Sequence, residues 1–404
     1  MNKIKRKVPP GVQSRLAAGF LTLLFCLLCV VIFEPQKGRA LYSFFIEPFS
    51  SASQIGGLIS MATPAIFIAL GVSLMFQCRK YSFASIGAFM LSSALVTMFL
   101  LRGNEKPNWY LIPVALLIGI LAGALVGMLP ALLSYKSKIH VALSSLLVNY
   151  LVLQLTSYLL ISHMQDFSQG EITSFQIPQR MWLAEFWPAL GLRWGTLLAI
   201  VATIVLYLLL YRGKTGYGIR MVGASEATAN YVGLSAGAIA LVSQLMGGAL
   251  AGLGGAIEMM GIQPRYQWNE TFPFITLVGI LAAVLVDYNP IWVPVSTLFL
   301  SYLWKGAQLL YADTDFPVYL GLAAAAVMVL VLFALRQVVV ADELRRFGRW
   351  VIRVAKAIGR GLQRLWRKLR ASLQGARAEA RETAAKKPSH AAKKEEQQQD
   401  GGVQ

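Results

Sequence analysis

Long apolar runs without Asp, Glu, Lys or Arg alternate along the chain with short polar interruptions. The runs are Leu16 to Phe33, Gln54 to Cys78, Tyr81 to Leu101, Pro107 to Tyr135 and Ile139 to Ser162, followed by Trp194 to Tyr211, Ala227 to Ile257, Thr271 to Val286, Tyr288 to Trp304 and Phe316 to Leu335. Crossing a hydrocarbon layer about 30 Å thick takes about 20 apolar residues in a helix. The pattern therefore predicts an all-α integral membrane protein of about ten transmembrane helices. Thr271 to Val286 is short for a full span and reads as a broken or re-entrant helix, which needs protein rather than lipid around its backbone. Breakers recur: Pro64 and Gly71 interrupt the second run, and Pro273, Pro290 and Pro294 punctuate the eighth and ninth. Paired interrupted segments are one way in which transporters build a central binding site.

After the last run the period changes. Leu344, Phe347, Val351, Val354, Ile358, Leu362, Leu365 and Leu369 recur in steps of three and four, with arginines between them. Such spacing makes one apolar helix face. The chain thus divides into a basic leader (1–15), a transmembrane domain (16–336), a basic amphipathic helix (341–371) and a tail (372–404) whose Ala/Lys/Glu/Gln-rich composition predicts disorder. From Asp342 onward there are 16 Lys plus Arg against 7 Asp plus Glu, half of the chain's net charge of +18. An anionic lipid surface suits this helix better than nucleic acid does, because the helix begins close beside the last span.

Composition supports the membrane reading. Of 404 residues, 56% are hydrophobic and 14% charged, against about 25% charged in soluble domains. Lys3, Lys5, Arg6, Lys7 and Arg15 precede the first run, which puts the N-terminus in the cytoplasm. Alternation then places Arg79, Lys80, Lys136, Lys138, Arg212, Lys214 and Arg220 on that side, and ten crossings return the C-terminus to it. No small-residue cleavage site follows the first apolar core, so it reads as an uncleaved span. On the opposite side the long loop from His163 to Arg193 holds Trp182, Phe186 and Trp187, which suit an interfacial helix.

The chemistry-bearing motifs are sparse. Gly213-Lys214-Thr215 spells the end of a phosphate-binding loop, but the glycine required five residues earlier is Leu208, inside an apolar run. No nucleophile stands with a base, and His140, His163 and His390 are far apart, so neither a catalytic nor a metal site is read from this sequence. Cys26 and Cys29 lie inside an apolar run with no other ligand nearby. The polar residues within the runs are more informative. Ser144, Ser145 and Asn149 share one stretch, which fits either interhelical hydrogen bonding or the lining of a pathway. Glu258 closes a long uncharged stretch, and a carboxylate inside a span is a functional-site candidate, although it also stands near the expected interface. With Thr276 in the short run, these are the candidate substrate-pathway residues.

One polar interruption stands apart: TGYGIRMVGASEATANYVGLS, Thr215 to Ser235. Ser225 is a good N-cap, Glu226 favours the positive end of a helix and Gly233 ends it. The expected helix, Glu226 to Val232, is too short to stand alone in water. Its apolar tip at Tyr231 and Val232 therefore needs a partner surface.

This segment resembles the coupling loop of ABC importer permeases of the branched-chain amino acid, simple-sugar and nucleoside type. The match runs through Gly216, Arg220, Val222, Gly223, Ala229, Tyr231 and Gly233, then continues into GGALAGLGGAIE. LLVNYLVLQL and Asp287-Tyr288-Asn289-Pro290 also echo the family, over approximately residues 55 to 335. Where the family usually shows Asn-Ile-Gly followed by Glu and Gln, this chain has Ser85-Ile86-Gly87-Ala88-Phe89-Met90. Val286-Asp287 likewise replaces the Gly-Arg that often precedes Asn-Asn-Pro. The resemblance implies a permease subunit without a nucleotide or cofactor site of its own. Its partners would be a cytoplasmic ABC ATPase that binds ATP and Mg, a second permease, and an extracytoplasmic substrate-binding protein or lipoprotein. It implies a bacterial plasma (inner) membrane and an ATPase-coupling loop of Gly216, Arg220, Gly223, Ser225, Glu226, Tyr231 and Gly233. Nucleosides lead as substrate, ahead of simple sugars or riboflavin. The rival reading is an ion-gradient-driven secondary transporter working without an ATPase. It asks for ionisable groups deep in the bundle, of which Glu258 is the main candidate. A non-transporting scaffold built around the basic tail is a third.

Overall fold

The computed structural model describes residues 37–103, 110–137, 139–168, 170–267 and 273–313, with single helical positions at 24, 323 and 327. Apart from those single positions, the leader, the first and last apolar runs and the tail, including the helix expected over 341–371, lie outside the described residues. Within them the order is α1 (Lys37–Phe45), α2 (Ala52–Gln77), α3 (Ala84–Arg102), α4 (Leu111–Ser137), α5 (Val141–His163), α6 (Trp194–Arg212), α7 (Lys214–Ala224), α8 (Glu226–Tyr231), α9 (Ala236–Gly261), α10 (Phe274–Leu285) and α11 (Val293–Asp313).

Six helices, α2 to α6 and α9, are long and apolar enough to cross a membrane. Their runs carry no charge because lipid offers an unpaired charge no partner. An 18-residue apolar stretch of α2 is 83% buried and that of α6 only 33%. α2 thus lies at the centre, while α4, α5 and α6 keep outward faces with Leu121, Leu125, Leu147, Leu151, Ile204 and Val205 exposed. α2 runs unbroken through Pro64 and Gly71. Pro273, Pro290 and Pro294 all stand at helix starts, where a missing N–H costs nothing.

Small residues let α9 enter the middle of the bundle. A Cβ on Gly123 of α4 would fall 2.3 Å from the Gly248 carbonyl oxygen, and one on Gly252 would fall 2.2 Å from that of Gly119. Gly71 of α2 meets Gly247 in the same way, its Cβ position 2.3 Å from the Gly247 oxygen. Backbones this close gain van der Waals contact that lipid tails cannot supply. Ser93 adds a hydrogen bond across the seam, its hydroxyl donating to the Gly255 carbonyl at 3.3 Å.

At 12 residues, α10 is about 18 Å long at 1.5 Å per residue, short of a 30 Å layer. The turn after it still reaches the far end of α2, where the Gln77 side-chain amide donates to the Tyr288 carbonyl at 2.7 Å. α11 then returns and continues past Trp304 through Lys305 to Asp313. Asp313 pairs there with Ser43 and with Arg39 of α1.

The loop between α5 and α6 departs from the expected interfacial helix. It forms a 3-10 turn at Gln179–Met181 and a hairpin pairing Glu185–Trp187 (β1) with Leu192–Arg193 (β2). The hairpin turn carries Pro188 and Gly191, the latter at φ +64°. This turn chemistry outweighs the aromatic pattern. Trp182 instead lies under the Arg193 guanidinium, 4.5 Å from ring centroid to Cζ. Arg265 clamps the loop further along, donating to Asp166 at 2.7 Å and to the Ser174 carbonyl at 3.1 Å.

Candidate functional site

The two ends of this bundle carry different arrangements. At one, the segment after α6 turns sharply into α7. A Cβ on Gly216 would meet the Leu209 carbonyl oxygen at 2.2 Å, so only glycine fits the corner. α7 itself, Lys214–Ala224, is a helix that the glycine-punctuated sequence did not suggest. Its buried residues are Gly216, Gly218, Ile219, Val222 and Gly223. Arg220 lies over the Tyr211 ring, 5.1 Å from its centroid.

α8 follows at once. Ser225 is extended and its hydroxyl accepts from the Thr228 amide at 3.2 Å, forming the expected N-cap. The helix ends at Tyr231, one residue before the expected Val232. Gly233 stands at φ +86°, the left-handed exit that glycine tolerates best. Gly223 serves another purpose than a turn. It lies within α7, and a Cβ there would sit 1.9 Å from the Gln77 carbonyl oxygen at the end of α2.

An ion pair also ties this corner to the bundle. Glu226, first residue of α8, forms an ion pair with Lys80 in the α2–α3 turn. The Lys80 carbonyl also accepts from the Gln244 side chain of α9 at 2.9 Å. Beyond the anchored base the tip is bare: Tyr231 is 94% and Val232 59% exposed. Gln77 links the corner onward to Asp287 and Tyr288, two successive non-glycine residues at φ +56° and +60°. Left-handed backbone costs such residues about 1–2 kcal/mol each. The Gln77 bond and the packing of the Phe76 ring on that of Tyr288, 5.4 Å between centroids, hold the turn in place.

The other end holds a cavity of about 500 Å³, within the range of roughly 300–1,000 Å³ for small-molecule sites. Its lining comes from α2, α3, the end of α9, the following loop, and the facing sides of α10 and α11. Glu258 is in the wall. It is 6% exposed and its Oε2 has no hydrogen-bond partner, a costly state for a buried polar atom. Ser301, Trp304, Lys305 and Gln308, on one face of α11, also line the cavity, and Trp304 stacks on Phe274 at 3.7 Å between centroids. Phe89 and Met90, from the Ser85–Met90 segment, supply an apolar wall. Tyr266 in the loop also lines the cavity, and burial pushes its phenol up to about 12, so it stays neutral.

The other pathway candidates lie elsewhere. Asn149 of α5 accepts from the Gly87 amide at 3.0 Å and donates to the Phe83 carbonyl at 2.8 Å. The Ser145 hydroxyl accepts from the Phe83 amide at 3.0 Å. Together they satisfy backbone groups at the start of α3. Ser144 bonds to backbone carbonyls, including that of Pro130 at 3.3 Å. Thr276 is buried in the first turn of α10, its hydroxyl donating to Pro273 at 2.6 Å. None of these four lines the cavity; Glu258 does. The sequence reading missed Lys305 and Gln308, because it ended the ninth run at Trp304. The steps of three and four from Ser301 to Gln308 were the available signal.

The long apolar helices make this a multi-pass membrane protein, with a short anchored helix at one end of the bundle and a cavity at the other. The chain belongs to the family described as the branched-chain amino acid transport system permease component, which matches residues 54–334. It is similar to the nucleoside ABC transporter permease protein NupB of Lactococcus lactis, 24% identical over 70% of this chain and 80% of that protein. The guanosine ABC transporter permease protein NupP of Bacillus subtilis is 23% identical, over 67% of this chain and 78% of its own length. The glucose ABC transporter permease protein TsgB13 of Haloferax volcanii is 26% identical, over 65% and 72%. The chain is an ABC transporter permease, the transport component of a system that also has ATPase and substrate-binding parts.

Proposed function

We propose that this permease imports nucleosides and that α8 receives the force of a cytoplasmic ATPase. The observation that carries the coupling role is the bare Tyr231–Val232 tip on a base anchored to α2 and to the α2–α3 turn. A helix of 6 residues cannot hold itself in water, and an exposed aromatic tip on such a helix suits a docking surface. A push on α8 moves α7, and Gly223 transmits it to the end of α2. From there Gln77 reaches the 287–288 turn that joins α10 to α11, the two helices flanking the cavity. Motion at one end thus alters access at the other.

In this reading the α8 end faces the cytoplasm with both termini and the loops at Arg79, Lys136 and Lys214, and ten spans cross a bacterial plasma membrane. ATP and Mg are bound by the partner ATPase, a second permease completes the pathway, and an extracytoplasmic binding protein delivers the substrate. Anionic lipid is the partner proposed for the basic segment 341–371. Nucleosides rank ahead of sugars because the permeases from Lactococcus and Bacillus carry nucleoside and guanosine names. Reconstitution of the complete importer into liposomes, with its ATPase, second permease and binding protein, tests the proposal: labelled adenosine should enter only with ATP. Uptake by this chain alone under a proton or sodium gradient would establish the secondary-transporter reading in its place.

A further inference from the structure

We infer that Glu258, Lys305 and Gln308 form the permease's own recognition site for the sugar hydroxyls of a neutral nucleoside, an inference that rests on the nucleoside reading above. Three features of the cavity lead to it. The first is the buried Glu258 Oε2, which has no hydrogen-bond partner. A carboxylate oxygen accepts and cannot donate, so its missing partner is an O–H or N–H. The second is charge. Arg265 is engaged by Asp166 and the Ser174 carbonyl, which leaves Glu258 and Lys305 as the opposed pair in the lining. With the Glu258 carboxyl ionised the two charges cancel, and a solute with net charge meets no surplus of the opposite sign. The third is the mixture of hydrogen-bonding types. Lys305 only donates, Glu258 only accepts and Gln308 does both. Sugar hydroxyls, which both donate and accept, satisfy all three. The base then has the aromatic part of the lining, where Phe89 and the stacked Phe274–Trp304 pair offer flat surfaces.

A zwitterionic amino acid is the competing solute, its ammonium on Glu258 and its carboxylate on Lys305. The observations favour the nucleoside because Trp304 and Phe274 present more flat surface than a short aliphatic side chain would use. The sugar class shares the hydroxyls but lacks the base.

The test uses the complete importer in its native host, with this chain deleted and restored as wild type, Glu258→Gln or Lys305→Met. Initial uptake of labelled adenosine and labelled 3′-deoxyadenosine is measured, each divided by its affinity for the isolated binding protein. Membrane level and co-purification with the ATPase are checked for each variant. Loss of a hydrogen bond to a charged group is expected to lower uptake about ten-fold. Wild type should therefore favour adenosine by about that factor, and in Glu258→Gln the preference should fall to near one. Equal loss of both solutes in properly assembled Glu258→Gln would assign Glu258 a structural role and overturn the inference. Full adenosine uptake by Glu258→Gln would overturn it too, with the nucleoside reading intact. Wild type that takes up neutral amino acids or glucose but no nucleoside overturns the nucleoside reading itself.

Discussion

Replacing Gly223 with alanine isolates the contact that joins the α7–α8 corner to the bundle. The new Cβ would stand 1.9 Å from the Gln77 carbonyl oxygen, 3.1 Å from its carbon and 3.5 Å from the Cys78 carbonyl carbon. All three are backbone atoms, so no rotamer relieves the clash, and the two segments must part by about 1 Å or more, an overpacking that costs about 1–3 kcal/mol. Gly218 in the same helix is the control. Its Cβ would meet only the Ile239 side chain, at 3.1 Å from the terminal methyl, which can move. Both substitutions gain helix propensity, up to about 1 kcal/mol each, so the difference between them reports the contact with α2. Gly218→Ala should be neutral or slightly stabilising. Gly223→Ala should be less stable than Gly218→Ala by about 2 kcal/mol, read as a lower apparent Tm of the purified protein by tryptophan fluorescence. It should also uncouple, with ATP hydrolysed but little solute moved, because the displaced corner no longer bears on Gln77. Equal melting and equal transport in the two variants would show that α7 and α2 do not meet as described, and the force path would fail with them.

Two further outcomes are expected. Asn149→Leu removes the bonds to Phe83 and Gly87 and should destabilise the protein by about 1–3 kcal/mol. Substrate preference should stay unchanged, and a changed preference would put Asn149 on the pathway. Hydrogen bonds from Ser168, and then the Arg265 bond, hold the Asp166 carboxyl below its ordinary value. A depressed carboxylate stabilises the fold above the unfolded value and loses that contribution as pH falls through the folded one. Protection of the loop carrying Asp166 from proteolysis should therefore persist to below about pH 3.9. Asp166→Asn should abolish that pH dependence; wild type and variant losing protection at the same pH would argue against the clamp.

How far the sequence disclosed this structure depended on what constrains each segment. The runs that became α2 to α6 and α9 were legible because lipid tolerates no charge on an exposed face. The shortness of α10 showed directly in Thr271 to Val286. The α8 helix was legible in its cap and exit, Ser225 and Gly233. α7 was hidden, because Gly216, Gly218 and Gly223 read as breakers when they are small residues on closely packed helical turns. The 3-and-4 spacing of Gly216, Ile219 and Gly223 was the overlooked clue. Lys305 was lost for the opposite reason: a charge was taken as a boundary, while α11 carries it into the cavity wall. The roles of Ser144, Ser145 and Asn149 could not be separated from one chain alone. Polar residues facing a neighbouring helix and polar residues facing a pathway leave the same trace, and only the geometry placed these against the start of α3.

The account's central claim is that the exposed tip of α8 is the docking point of the ATPase, and Tyr231→Asp tests it most directly. Tyr231 is 94% exposed and has no packing to lose in the permease, so the variant should insert and melt as wild type. At a docked interface the new carboxylate would be buried without a partner, at a cost of several kcal/mol. Tyr231→Asp should then lose the ATPase on purification and abolish ATP-driven uptake, while the binding protein's affinity for substrate is unchanged. A Tyr231→Asp permease that keeps its ATPase and transports at the wild-type rate would contradict the coupling role of α8.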